Sequence, residues 1–204
     1  MNRQIDNKKA YNEIAHIWDS DDFLAKENGI EQHKRAIQFT KKRGLALDIG
    51  CGASGRIIKL LRENGFEVEG LDFSEEMLRR ARLRDSEIVY HQADIRTWNF
   101  TSKYDFVSGW DSIWHVRLSE QKDLIKKICE GLNKDGVFIF TGGGLDSPEE
   151  ISNNAMGPEL SYSTLGITGY LDLISKCGCV CRHFEFDQYP ENHVCFIVQK
   201  IKGD

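Results

Sequence analysis

A chain of 204 residues, 40% hydrophobic and 29% charged, holds enough apolar material for one domain with a substantial core and is too short for two full enzymatic domains. A net charge of −5 argues against a nucleic-acid partner, because phosphate-backbone binding needs a basic surface to displace counterions. No apolar run approaches the roughly 20 residues of a membrane helix, and the opening "MNRQIDNKKAYNEIAHIW" lacks the apolar segment of a secretion signal, so a cytoplasmic protein with no membrane partner is expected.

Before Thr40 the chain is polar with helical spacing. "KKAYNEIAHIWDS" brings Tyr11, Ile14 or Ala15, and Trp18 to one helical face. From Leu45 onward short apolar runs alternate with amphipathic stretches, the pattern of a parallel sheet covered by helices. The predicted strands are "LALDIG", "EVEGLDF", "EIVYHQAD", "YDFVSGW" and "GVFIFTGG", with helices such as "SGRIIKLLRENG" and "SEEMLRRARLR" between them. The helix "SEQKDLIKKICEGL" is marked by Leu124, Ile128 and Leu132 at spacing four, and Ser119 is placed to cap it. Gly65 and the stretch from Gly131 to Gly136 read as helix stops.

The segment from Gly142 to Gly166, "GGGLDSPEEISNNAMGPELSYSTLG", reads as a long polar connection. Connections of that length in compact domains are often functional, and this one offers Glu159, Tyr162 and Ser163 to a ligand. After a helix in "TLGITGYLDLISKCG", the runs "VCRHFEFDQ" and "HVCFIVQKI" flank a turn-like "YPEN" and predict an antiparallel hairpin that closes the sheet at seven strands. With no repeat or Pro-rich linker, the expected organisation is one domain over 1–204. Residues 1–40 form a helical cap, 41–204 the core, and 142–166 a substrate-side loop. Six cysteines in a cytosolic chain read as reduced thiols. Cys177, Cys179 and Cys181 would share one face of a strand, a spacing unlike that of zinc sites, so they are expected as small buried hydrophobes and no metal is assigned.

The chemistry is concentrated in "LALDIGCGASGR". Gly50, Gly52 and Gly55 follow a strand and precede a helix, the context in which glycines allow a tight turn and close approach of a ligand. Asp72 ends the next strand, where a carboxylate can accept both ribose hydroxyls of an adenosine, and Asp94 ends the third, within reach of an adenine. Ligands of such sheets bind at the carboxyl ends of the strands. Asp48 discriminates between cofactors: beside this loop it would repel the diphosphate of a nicotinamide cofactor, whereas S-adenosylmethionine has no phosphate and brings a sulfonium and an ammonium.

On these residues the chain resembles a class I S-adenosylmethionine-dependent methyltransferase of the small-molecule type. "LALDIGCGASGR" resembles the family's first motif, "EGLDFSEEML" the ribose-binding motif, "QADIRTW" the adenine-side motif, and "YDFVSGWDSIWHV" the fourth strand and the loop beyond it. The resemblance implies a Rossmann-like sheet with helices on both faces and S-adenosyl-L-methionine as cofactor. It places Asp48, Gly50, Cys51, Gly52, Asp72, Phe73, Asp94, Ile95, Gly109 and Trp110 around that cofactor, with Tyr11 and Trp18 in a lid. Ala53 and Ser54 separate the second and third glycines where many members have one residue, so Gly55 is not among the expected contacts.

The same resemblance puts the methyl acceptor beyond the fourth strand, with Trp110, Trp114, Glu159 and Tyr162 lining its pocket. Asp111 and His115 are the nearest groups able to take a proton, and packing or capping is the competing role for His115. The loop carries neither "NPPY" nor "DPPY", the grip of amino-methylating DNA enzymes, which favours a small-molecule acceptor. Two rivals remain: an NAD-binding oxidoreductase-like domain, which would want a second domain, and a regulatory protein that binds an adenosine cofactor without turnover. Neither the acceptor nor the oligomeric state follows from the sequence.

Overall fold

Five parallel strands form one side of a seven-stranded sheet: β1 (Leu45–Ile49), β2 (Glu67–Asp72), β3 (Val89–Gln92), β4 (Tyr104–Gly109) and β5 (Leu132–Gly143). The computed structural model describes residues 6–25 and 27–202; the first five residues of the polar opening stretch lie outside them. A small hairpin, β6 (Glu149–Asn153) and β7 (Leu160–Thr164), stands apart from the sheet. The chain then closes the sheet with β8 (Cys179–Glu185) and β9 (His193–Lys200), in the order β3-β2-β1-β4-β5-β9-β8. Within this sheet the pairings are parallel except β5 with β9 and β8 with β9.

The strand sequences explain why both faces are covered. On β1, Ala46 points to one face and Leu47 to the other. On β5, Val137 and Ile139 share the first face, and Phe138 and Phe140 the second; Ile197 and Phe196 split in the same way on β9. Period-two alternation with apolar residues at every position requires helices on both sides. Helices α3 (Ile30–Ile37) and α4 (Arg56–Glu63) pack on the Ala46 face. Helices α6 (Leu118–Glu130) and α7 (Gly166–Lys176) pack on the other, burying Leu124, Ile128, Tyr170 and Ile174. Helix α5 (Glu75–Arg84) follows β2, and its Ser74 cap accepts the Met77 N–H at 3.1 Å. Among the described residues no helix is long and apolar enough to cross a membrane.

Several local expectations are corrected. The segment 142–166 is no unstructured loop: Glu149 pairs with Thr164 and Asn153 with Leu160 across the β6–β7 hairpin. Every residue of β6 is exposed, so it lacks the apolar alternation by which a strand is recognised. Ser119 does not cap α6. That helix begins a residue earlier, and its Leu118 N–H donates to Glu150 Oε2 at 2.8 Å, a partner brought by the hairpin. The cysteines of "CGCVC" do not share a strand, since Cys177 is the C-cap of α7 and β8 starts at Cys179.

The amino-terminal cap consists of α1 (Asn7–Ile14), a 3-10 turn (Ala15–Asp19) and the short α2 (Asp21–Leu24). Asp19 is held against α5 by Arg80 at 3.2 Å and by Arg84, so these two arginines anchor the cap. Ala10 and Ile14 of α1 form a satellite cluster with Leu160 of β7, apart from the two main cores.

One buried side chain ties α6 to both the hairpin and α7. Gln121 donates from Nε2 to the Ser163 carbonyl at 2.7 Å, and its Oε1 accepts from the Tyr170 hydroxyl at 3.1 Å. Replacing Gln121 with Leu removes one hydrogen bond each from a buried carbonyl and a buried hydroxyl, at a cost of about 2–3 kcal/mol. The expected result in thermal denaturation is a Tm lower by roughly 4–12 °C; an unchanged Tm would show that the hairpin is not anchored this way.

Candidate active site

The glycine turn is built by hydrogen bonds to the end of β2. The Leu71 carbonyl accepts from the Gly50 N–H at 2.7 Å and the Cys51 N–H at 3.1 Å. Gly50 and Gly52 adopt φ of +69° and +58°, the left-handed region that favours glycine. A Cβ on Gly50 would lie 2.3 Å from the Ser112 Cβ, so this glycine lets the β1 turn meet the turn after β4. At Gly52 the nearest heavy atom to such a Cβ would be the Met77 Sδ at 3.9 Å, which leaves room for a ligand.

Asp72 joins the pieces. Its Oδ2 accepts the Gly52 N–H at 2.9 Å and its Oδ1 the Ser74 N–H at 2.8 Å, linking β2, the glycine turn and the start of α5. Burial pushes its carboxyl up to about 6, against the pull of those amides. Burial also pushes Asp48 up to about 7, opposed by the Ser108 hydroxyl and the Arg56 guanidinium. Arg56 opens α4, lies over the Phe23 ring at 4.7 Å, and sits in the field of both Asp48 and Asp111.

Two cavities meet at this turn, sharing Gly50, Asp72, Phe73, Ser112 and His115. The larger, about 660 Å³, runs along the ends of β2 and β3 past Asp94 and Ile95. Asp94 is gripped by Arg96, whose Nε lies 3.0 Å from both carboxylate oxygens and whose Nη2 lies 2.6 Å from Oδ2. Partial burial alone would raise its carboxyl, but Arg96 holds it below the usual range. The smaller cavity, about 250 Å³, is bounded by Asp48, Cys51, Arg56 and Asp111 and by aromatic rings that include Tyr11, Trp18, Trp110, Trp114 and Tyr162.

The sequence-named residues are therefore largely brought together, with four exceptions, the first being Ser163, which lines neither cavity and whose hydroxyl donates to Glu150 Oε2 at 3.1 Å. Gly109 lines neither cavity; a Cβ there would press on Ile113 at 3.1 Å and Phe138 at 3.3 Å, so its smallness serves packing. Glu159 is exposed beside the hairpin turn and accepts from the Ser152 hydroxyl at 2.9 Å, away from the pocket assigned to it. His115 is in the site but its ring nitrogens are committed. Nδ1–H donates to the Ser161 carbonyl at 2.8 Å, and Nε2 accepts from the Tyr11 hydroxyl at 2.6 Å and the Trp114 Nε1–H at 3.1 Å. Burial lowers it to about 4 and keeps the imidazole neutral. The ring is a hub joining cap, hairpin and β4 loop, which removes it as a proton acceptor in this arrangement.

Asn7 and Asn12 complete the closure of the cap. Asn7 exchanges hydrogen bonds with Ser161, accepting its N–H at 3.0 Å and donating to its Oγ at 3.0 Å, while Asn12 Oδ1 accepts from the Ser74 hydroxyl at 2.7 Å. Tyr11 and Trp18 meet edge to face at 5.4 Å, and burial raises the Tyr11 hydroxyl well above its ordinary range. Trp110 is pressed onto Gly29, where a Cβ would lie 2.9 Å from its Nε1, and that nitrogen is buried without a hydrogen-bond partner among the described residues.

Asp111 is held more firmly than its loop position foretold. Its backbone takes φ of +51°, its N–H donates to Thr141 Oγ1 at 2.8 Å, and its Oδ1 lies 2.8 Å from His193 Nε2. His193 Nδ1 in turn lies 2.6 Å from Asp187 Oδ1. Burial disfavours a charged His193, but the two carboxylates outweigh it and lift the imidazole to about 9, so it is an imidazolium at neutral pH. Arg56, Ser112 and Asp187 escape the sequence reading. Arg56 alone had a visible signal, its place as first residue of the helix after the glycines.

Residues 46–136 match the family model described as a methyltransferase domain. A carboxy-S-adenosyl-L-methionine synthase of Sulfurimonas denitrificans is 36% identical over 104 residues, 48% of this chain and 44% of that protein. A malonyl-[acyl-carrier protein] O-methyltransferase of Enterobacter lignolyticus is 35% identical over 106 residues, 52% of this chain and 41% of that protein. The matched stretch thus spans less than half the length of either curated relative. Among solved structures, the N-methyltransferase NodS from Bradyrhizobium japonicum, in complex with S-adenosyl-L-homocysteine, superposes with a TM-score of 0.73 at 13% identity, covering 97% of this chain and 100% of that one, a likeness of fold. The matched stretch contains the glycine turn, Asp72 and Asp94, so over these residues the chain is similar to a methyltransferase domain, and its fold is like that of the S-adenosyl-L-homocysteine-bound structure.

Proposed function

We propose that this protein binds S-adenosylmethionine across the two cavities and directs its methyl group to a small-molecule acceptor in the smaller one. The observation that carries the reading is the pair of buried carboxylates, Asp48 and Asp72, on either side of a glycine turn that leaves open space over Gly52. The donor set suits this cofactor. Each Asp72 oxygen accepts one backbone N–H and keeps a lone pair for a ribose hydroxyl. Ile95 and Phe73 offer apolar contact to an adenine, and Arg56, the cation of the smaller cavity, already faces Asp48 and Asp111 rather than standing open to a diphosphate. When bound, the cofactor supplies an electrophilic methyl group on a sulfonium.

The chain's own contribution is positioning and water exclusion, which can supply most of the acceleration of an in-line displacement. Tyr11 and Trp18 close the cap over the turn, and the hydrogen bonds of His115 and Asn7 keep that cap against the hairpin. Of the two groups named as proton acceptors, Asp111 is the one with acceptor capacity left, its Oδ2 being approached by Asn28 Nδ2 alone at 3.4 Å among the described hydrogen bonds. The curated relative from Enterobacter lignolyticus is named for an acyl-carrier-protein substrate and the Bradyrhizobium japonicum protein for N-methylation. What carries over from them is the cofactor class. The net charge of −5 supports a small-molecule acceptor over a nucleic-acid partner.

Isothermal titration with S-adenosylmethionine, S-adenosylhomocysteine and NAD tests this directly. Saturable binding of the first two and not of NAD is expected; preference for NAD, or no adenosine binding, would sink the reading. Replacing Asp72 with Ala removes charge-assisted hydrogen bonds and should weaken S-adenosylhomocysteine by about 10- to 100-fold.

The pH dependence has a definite sign. Asp72 accepts ribose hydroxyls as a carboxylate, and its carboxyl is lifted to about 6. Affinity for S-adenosylhomocysteine should be flat above about pH 8, where Asp48 and Asp72 are both ionised, and fall below 6 by up to about tenfold per pH unit. Affinity that rises on acidification would remove Asp72 from this role.

A further inference from the structure

The smaller cavity combines two features that a general methyl-transfer site does not require. One is its aromatic wall. Trp114 and Tyr162 meet edge to face at 6.1 Å and Tyr11 and Trp18 at 5.4 Å, so rings at steep mutual angles enclose the space, closed on one side by Trp110. The other is its charge. Asp48, Asp72 and Asp111 line it and Asp187 stands behind, against two cations, Arg56 and the His193 imidazolium.

That balance is net negative, which disfavours a carboxylate or phosphate acceptor by like-charge repulsion. An alcohol would gain a hydrogen bond to Asp111 but no attraction from the net charge. A cation gains twice, from Asp111 and from the ring faces, whose quadrupoles attract positive charge most strongly where water is excluded. Burial has also lifted Asp48 to about 7, so a cation entering beside it favours its ionised form.

The positioning of Asp111 points the same way. Non-glycine residues seldom adopt φ of +51°. Here the conformation is enforced from two sides, by Thr141 at the backbone N–H and by His193 at Oδ1, and His193 is itself fixed by Asp187, whose side chain is 1% exposed. Three buried groups are spent on holding one carboxylate at a cavity wall.

We propose that the methyl acceptor is an amine, taken up as its ammonium between Asp111 and the aromatic wall, with His193 and Asp187 as the residues that position Asp111. This rests on the methyltransferase reading above. One N–H proton passes from the ammonium to the Asp111 carboxylate. The lone pair so freed forms the N–CH3 bond while the C–S bond breaks with its electrons going to sulfur, so charge and protons balance.

The test uses choline as a cationic probe and 3,3-dimethylbutan-1-ol as its neutral isostere, each titrated into the full-length protein and followed by tryptophan fluorescence, since Trp18, Trp110 and Trp114 line the cavity. S-Adenosylhomocysteine binding is measured on the same sample by calorimetry. Choline is expected to bind at least about tenfold more tightly than the isostere. Asp111→Asn should bring the two within about twofold, and Asp187→Asn should cut the preference by about threefold, with circular dichroism confirming that both variants are folded. If the wild-type protein binds S-adenosylhomocysteine yet shows no preference for choline, the amine assignment fails while the methyltransferase reading stands. If S-adenosylhomocysteine does not bind, both fall. A folded Asp111→Asn variant that keeps the full preference overturns the role given to Asp111.

Discussion

The carboxylate of Asp72 is the constraint on which the rest of the site depends. Two backbone amides, from Gly52 and Ser74, converge on its oxygens, and these hydrogen bonds set where the glycine turn stands relative to the start of α5. The Leu71 carbonyl one residue earlier fixes the Gly50 and Cys51 amides, so the end of β2 organises the turn that leaves β1. A buried, partly desolvated carboxylate is costly to hold, as its lifted pKa of about 6 shows. That cost is offset by amides that would otherwise lack partners.

Around this fixed turn the structure assembles parts that are distant in the chain. His115 illustrates the principle, since one neutral ring accepts from Tyr11 and Trp114 and donates to Ser161, joining the cap, the β4 loop and the β6–β7 hairpin. The hairpin also supplies Glu150 to the first amide of α6, and Asp19 locks the cap onto the arginines of α5. Cap and hairpin therefore depend on each other, and both bury surface over the same cavity. The closed arrangement excludes water from the cavity in which the proposed methyl transfer takes place.

The sheet was readable because its signal is local. Strand and helix periods differ, and each apolar run from Leu45 to Lys200 keeps one period long enough to be recognised. The hairpin was not, because β6 buries nothing and its partner β7 gains its apolar contact from α1, far away in sequence. Ser119 shows the same limit at smaller scale. A capping residue can be proposed from composition, but a carboxylate arriving from another element displaces it without any trace in the local sequence.

The candidate site divides along the same line. The glycines, Asp48, Asp72 and Asp94 were determined by the sequence alone, because a turn between a strand and a helix needs left-handed residues and ligands meet such sheets at strand ends. What only the tertiary structure decided is how the surrounding polar groups are used. His115 became a structural hub, Gly109 a packing glycine and Glu159 a surface residue, while Asp111 was joined to His193 and Asp187 from the far side of the sheet. The physical reason is that a turn conformation is fixed by residues adjacent in the chain, whereas the state of a titratable group is fixed by burial and by partners that only the folded chain brings within reach.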